Sequence, residues 1–165
     1  QPEELMKTPG IGEHAAVLLK AVKELSGRYL TGRTDMENIV ASVKDVYGLL
    51  RPYFFGARNE RVYLLCMDGK GKSLGVRKIS EGNANAAEVT VRSVAEAALT
   101  LNATRVVLSH NHTSGLAIPS VEDKATTGYL YRVLKTVGVE LIDHLVFADD
   151  DMVSMKDSGV EFQRE

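Results

Sequence analysis

The feature that most limits how this chain can fold is a set of apolar runs too short to make helices of ordinary length. Glu60-Arg61-Val62-Tyr63-Leu64-Leu65-Cys66-Met67, Thr104-Arg105-Val106-Val107-Leu108 and Val139 to Phe147 each read as a strand buried in a core. Stretches of helical period separate them. Val40, Val43, Val46, Leu49 and Leu50 mark an amphipathic helix from Asp35 to about Tyr53. Val91, Val94, Ala95, Ala98 and Leu99 mark another from Ala87 to about Leu101, and Ser120 to about Val137 a third. Asp68-Gly69-Lys70-Gly71 is a turn leading to a hairpin partner over Ser73 to Ser80. A last strand is expected at Met152 to Met155, after a solvated turn of three acids, Asp149, Asp150 and Asp151. These elements predict an α/β domain, a mixed sheet with helices on both faces.

Chemistry concentrates where the middle run ends. Ser109-His110-Asn111-His112-Thr113-Ser114-Gly115 follows the strand directly, and Pro119-Ser120-Val121-Glu122-Asp123 opens the next helix. Two histidines one residue apart can project toward a single point, and Asp123 can supply a third ligand. Two nitrogens and one oxygen suit zinc, whose catalytic sites take three protein ligands and keep a fourth position for water. A plainer reading stands beside this one. A histidine pair in a polar loop is often solvated, and Glu122 and Asp123 belong in a first helical turn for dipole reasons, with Ser120 as N-cap. His144, in an apolar run, reads as a hydrogen-bonded core residue or one behind the ligands, with a fourth ligand as the lesser reading. Cys66, between Leu65 and Met67, reads as a buried inert thiol.

The spacing His-x-His, seven residues, Ser, two residues, Asp resembles the motif of the JAMM (MPN-plus, JAB) metalloprotease family, here His110, His112, Ser120 and Asp123. The likeness is greatest to the bacterial RadC proteins. It extends to Ser80-Glu81-Gly82-Asn83-Ala84-Asn85 and Leu141-Ile142-Asp143-His144, and it covers the chain from about Thr34 onward. The chain departs from that pattern at Thr113, where the family usually has proline, and at Val91 and Ser93 around Arg92. The resemblance implies a JAMM- and cytidine-deaminase-like layering and a zinc-dependent hydrolase of peptide or isopeptide bonds. It implies zinc on His110, His112 and Asp123, with Glu81 as proton acceptor and donor and Ser120 stabilising the oxyanion. Glu88 and Glu96 compete with Glu81 for the first duty. Arg92 is expected to anchor its helix rather than bind substrate, and Ala117-Ile118 to edge a substrate site.

Gln1 to about Leu30 reads as the tail of a separate module, and residues 31–165 as the JAMM-type domain. Thr8-Pro9-Gly10-Ile11-Gly12 turns into a helix ending near Leu25 or Tyr29, and a glycine-bearing linker runs from Ser26 to Asp35. The turn resembles half of a helix-hairpin-helix, a module that RadC-like proteins carry, so a piece of a longer protein is expected; the plainer reading is an αα turn that needs glycine, with weak DNA contact as the lesser one. The rival to hydrolysis is a DNA-associated repair module whose metal site is structural or vestigial. A net charge of −2 gives no general attraction to nucleic acid. A single cysteine excludes an internal disulfide and suits a reducing cytoplasm. No run is long enough to span a bilayer. No His-Glu-x-x-His is present, and the Pro-Cys-x-x-Cys of zinc deaminases is absent, which excludes both chemistries.

Overall fold

The structure is a computed structural model that describes residues 1–32, 39–82 and 91–162. It divides into two compact units, Gln1–Asp35 and Met36–Glu165. The first holds a short helix α1 (Pro2–Leu5) and a long helix α2 (Glu13–Gly32). The helix does not end where a linker was expected, because Ser26-Gly27-Arg28 continue it. One interior glycine costs only about 1 kcal/mol, and the Thr31 hydroxyl donates back to the Gly27 and Arg28 carbonyls in the last turn.

The second unit contains α3 (Val43–Phe54), β1 (Glu60–Met67), β2 (Ser73–Gly82), α4 (Val91–Thr100), β3 (Arg105–Asn111), α5 (Val121–Thr136), β4 (Glu140–Ala148) and β5 (Asp151–Ser154). The five strands form one sheet in the order β2-β1-β3-β4-β5. Only β3 and β4 run parallel; β1 is antiparallel to both β2 and β3, and β5 to β4. The sheet is therefore mixed, as the alternation of hairpin and helical connections requires.

Side chains alternate across the sheet, so each strand feeds two cores. Val62, Leu64 and Cys66 of β1 join Val106 and Leu108 of β3 against Val94 and Ala98 of α4 and Leu130 and Leu134 of α5. Leu65, Met67, Val107, Leu145 and Phe147 face the other way, against Val46, Leu49 and Leu50 of α3. Helices thus cover both faces of the sheet. Each fully buried leucine here contributes roughly 1.5–3 kcal/mol over an exposed one.

In this unit the start of α3 and the end of β3 differ from expectation. The helix expected from Asp35 begins at Val43, capped by Ser42, whose side chain accepts from the Asp45 N–H while Asp45 reaches back. Val40, which fits the helical period, lies outside that helix. Instead its N–H donates to the Gly71 carbonyl, beside a short bridge from Ile39 to Lys72. Gly71 has φ +81°, and an added Cβ there would stand 3.0 Å from the Val40 oxygen, so this turn needs glycine on both counts. The middle strand runs further than its apolar run, through His110 and Asn111. No described helix is long and apolar enough to cross a membrane.

Candidate metal centre

His110 is the penultimate residue of β3, and its partner across β1 is Val62, so its side chain lies on the sheet face that α5 covers. His112 has left the strand, yet its N–H still donates to the Phe147 carbonyl at 2.8 Å, which prolongs the β3–β4 ladder and holds the backbone extended. Both imidazoles therefore emerge at the carboxyl end of a parallel pair, where α/β folds place their ligands. Asp123 comes from the first turn of α5, whose N-terminus stands over the same end. In the connecting loop, Gly115 has φ +80°, a value that other residues avoid.

The three side chains converge. His110 Nε2 and His112 Nε2 are 2.9 Å apart. Asp123 Oδ1 is 3.3 Å from His110 Nε2, and Asp123 Oδ2 is 3.4 Å from His112 Nε2. They form a group able to hold a metal ion, one ligand atom from each lying within 4.8 Å of the others. Ligands about 2.1 Å from a tetrahedral ion stand about 3.4 Å apart, which the two His–Asp separations match; the His–His separation is tighter. The His110 side chain is 8 % exposed, His112 17 % and Asp123 14 %, so the cluster is shielded without being sealed.

Hydrogen bonds decide which atoms face inward. His112 Nδ1 lies 3.1 Å from the Leu116 carbonyl, which can only accept, so the ring proton sits on Nδ1 and the Nε2 lone pair points at the cluster. Asp123 Oδ2 accepts from the Ser120 N–H at 2.8 Å and the Ser120 hydroxyl at 2.6 Å, leaving Oδ1 toward His110. Burial pushes the Asp123 pKa up, but the contacts with His110 and Ser120 outweigh it and hold the carboxyl below its usual range. His144 is not a ligand in this arrangement. Its Nε2 faces His110 Nδ1 at 2.8 Å and its Nδ1 faces the Thr127 hydroxyl at 2.6 Å. Burial, with the neighbouring His110, lowers its pKa well below the ordinary histidine value.

The remaining expected residues fall into place unevenly. Ser120 caps α5: its Oγ accepts the Asp123 N–H at 3.0 Å while its own proton goes to the Asp123 carboxylate. Glu81 is not brought to the cluster. Its register partner on β1 is Arg61, one residue before the partner of His110, so its side chain leaves on the opposite face. There it accepts from Arg61 Nε and Lys78 Nζ, each at 2.8 Å. The Lys78 hydrogen bond, aided by Arg61, keeps its carboxyl below the ordinary glutamate value. Glu96 and Arg92 are exposed on α4. Glu88 and the stretch Asn83-Ala84-Asn85 lie outside the described residues.

Two residues that sequence reasoning passed over matter more. Glu60 opens β1, two positions before Val62 and therefore on the same face as His110. Asn111 fixes that strand end: its side-chain oxygen accepts the Arg61 N–H at 2.8 Å and its amide donates to the Asn59 carbonyl. The middle residue of His-Asn-His thus ties down the backbone on either side of Glu60. Only the register reveals this, because an acid opening a strand otherwise reads as a solvated rim.

Comparison with known proteins agrees with this architecture. The family model described as the RadC-like JAB domain matches residues 40–160. A UPF0758 protein of Methanosarcina barkeri is 36 % identical over 155 residues, covering 94 % of this chain and 68 % of the relative. Another UPF0758 protein, from Pseudoalteromonas translucida, is 34 % identical over 158 residues, 96 % of this chain and 70 % of the relative. A third, from Clostridium acetobutylicum, is 31 % identical over 158 residues, 96 % and 69 % respectively. On the extent of the family match and of these likenesses, the chain belongs to the RadC-like JAB domain family.

Proposed function

We propose that this domain is a metal-dependent hydrolase of peptide or isopeptide bonds, with zinc held by His110 Nε2, His112 Nε2 and Asp123 Oδ1. The observation that carries the reading is the convergence of those three ligand atoms around one point. The donor set fits the ion: His112 presents a bare nitrogen and Asp123 is held as a carboxylate. When bound, zinc supplies Lewis acidity and brings the pKa of water toward about 7.

The chain's own groups do the rest. A carboxylate that is not a ligand must take the proton of the attacking water and return it to the leaving nitrogen. Glu81 and Glu60 are the two candidates, and the structure's geometry favours Glu60. It shares a face with His110, and its carboxylate has no hydrogen-bond or ion-pair partner among the described residues, whereas Glu81 is neutralised by two cations. Ser120, proposed from the family resemblance to stabilise the oxyanion, spends its proton on Asp123 here. It orients that ligand, and acting on a substrate requires its hydroxyl to turn away. Leu116, Ile118 and Val121 are exposed along the loop and the start of α5, which supports an apolar substrate side chain beside the cluster.

The test combines zinc titration with cleavage of peptide and isopeptide libraries. The expected result is one zinc per chain, cleavage abolished in His110→Ala, and a loss of about 10²–10⁴-fold in Glu60→Gln, with Glu81→Gln close to wild type. Loss in Glu81→Gln alone would return the proton transfer to Glu81. Stoichiometric zinc with no cleavage of either bond type would replace the hydrolase with a binding or scaffolding domain.

A further inference from the structure

We infer that Thr127 and His144 are positioning residues, a hydrogen-bond relay that dictates which nitrogen of His110 is offered to a cation. The inference rests on the metal-site reading above and concerns what stands behind that site.

The argument starts from one hydroxyl with one proton. Thr127 Oγ1 lies 2.6 Å from the Asp123 backbone carbonyl and 2.6 Å from His144 Nδ1. The carbonyl oxygen can only accept, so the hydroxyl proton goes there. Thr127 Oγ1 must then accept, and His144 carries its proton on Nδ1. His144 Nε2 is left with a lone pair and, at 2.8 Å, takes the proton of His110 Nδ1. That commits the Nδ1 side of His110 to His144 and leaves Nε2 as the nitrogen that faces His112 Nε2 and Asp123 Oδ1. Each step follows from the one before, and the anchor is a carbonyl that has no proton to give.

The relay is buried throughout. Thr127 is 0 % and His144 3 % exposed, so bulk water does not compete for these bonds. The other contact of the threonine hydroxyl is the Met155 sulfur at 3.8 Å, a weak acceptor. The placement also joins two ligands. Thr127 stands one turn beyond Asp123 on α5, while His144 comes from β4, so the helix that carries the carboxylate also fixes the tautomer of the first imidazole. Without the hydroxyl, nothing holds the His144 proton on Nδ1. A proton moving to His144 Nε2 drives the His110 proton onto Nε2, where the cation must sit.

Long-range ¹H–¹⁵N spectra of the imidazoles, recorded on metal-free protein, read the tautomers without any assay of activity. Wild type is expected to show His110 and His144 both protonated at Nδ1. Thr127→Val is expected to move the His110 proton to Nε2, and Thr127→Ser to restore the wild-type pattern. Zinc affinity, measured by competition with a chromophoric chelator, should fall about 10–100-fold in the valine variant and stay near wild type in the serine variant. His110 protonated at Nε2 in wild type overturns the relay even should the valine variant fail to fold. Unchanged tautomers and affinity in Thr127→Val overturn it as well. Tautomers as assigned in a wild-type protein that takes up no zinc would uphold the relay's proton order and remove the metal reading, so the two failures are distinguishable.

Discussion

A buried imidazole that cannot take up a proton is a liability in acid. His144 is folded into the core between β3, β4 and α5, and burial keeps it neutral far below the ordinary histidine pKa. In the unfolded chain it would titrate near 6.5. The folded pKa is the lower one, so the contribution to stability is complete above about pH 6.5 and declines as the pH falls. The steepest decline is about 1.4 kcal/mol per pH unit for this one group. Denaturant midpoints of metal-free protein between pH 8 and 5 should show it, and His144→Gln should flatten the slope. The same residue marks how far a sequence can be read. His110, His112, Ser120 and Asp123 were legible because their spacing is local, within fourteen positions. His144 was legible as a hydrogen-bonded core residue or one behind the ligands, but its partners were not, since its contacts with His110 and with Thr127 appear only when a strand and a helix are packed together.

Among the elements, α5 bears the most on the site. Its N-cap is also part of the cluster: Ser120 Oγ takes the Asp123 N–H, and Asp123 Oδ2 takes the Ser120 N–H and hydroxyl. Ser120→Ala should cost about 1 kcal/mol in thermal or denaturant unfolding for the lost cap. It should also raise the Asp123 pKa, so that zinc uptake fails at a higher pH than in wild type; a calorimetric titration from pH 7 to 4 measures that shift. The cap was legible from Ser-x-x-Asp, as were the strands from their apolar runs. The start of α3 was not, because Val40 fits the helical period of Val43 and Val46 yet is held by the β1–β2 turn. Glu60 was hidden for a related reason. Its value depends on β1 pairing Val62 with His110, forty-eight residues away in sequence, and no local pattern encodes that register.

At the scale of the molecule, every atom of the cluster and of its supporting hydrogen bonds belongs to the unit Met36–Glu165. A chain trimmed to that unit should bind zinc with unchanged stoichiometry and affinity, and competition with a chromophoric chelator is the check. The sheet order explains why so much chemistry fits one corner. β3 is the middle strand, with antiparallel β1 on one side delivering Glu60 and parallel β4 on the other delivering His144, while α5 closes over the top. The cap of α5 carries a further consequence. Because one carboxylate both latches the first helical turn and turns its other oxygen toward the candidate metal cluster, the two share a single hinge. A substitution that loosens the cap of that turn would therefore also release the carboxylate from its place beside the two imidazoles.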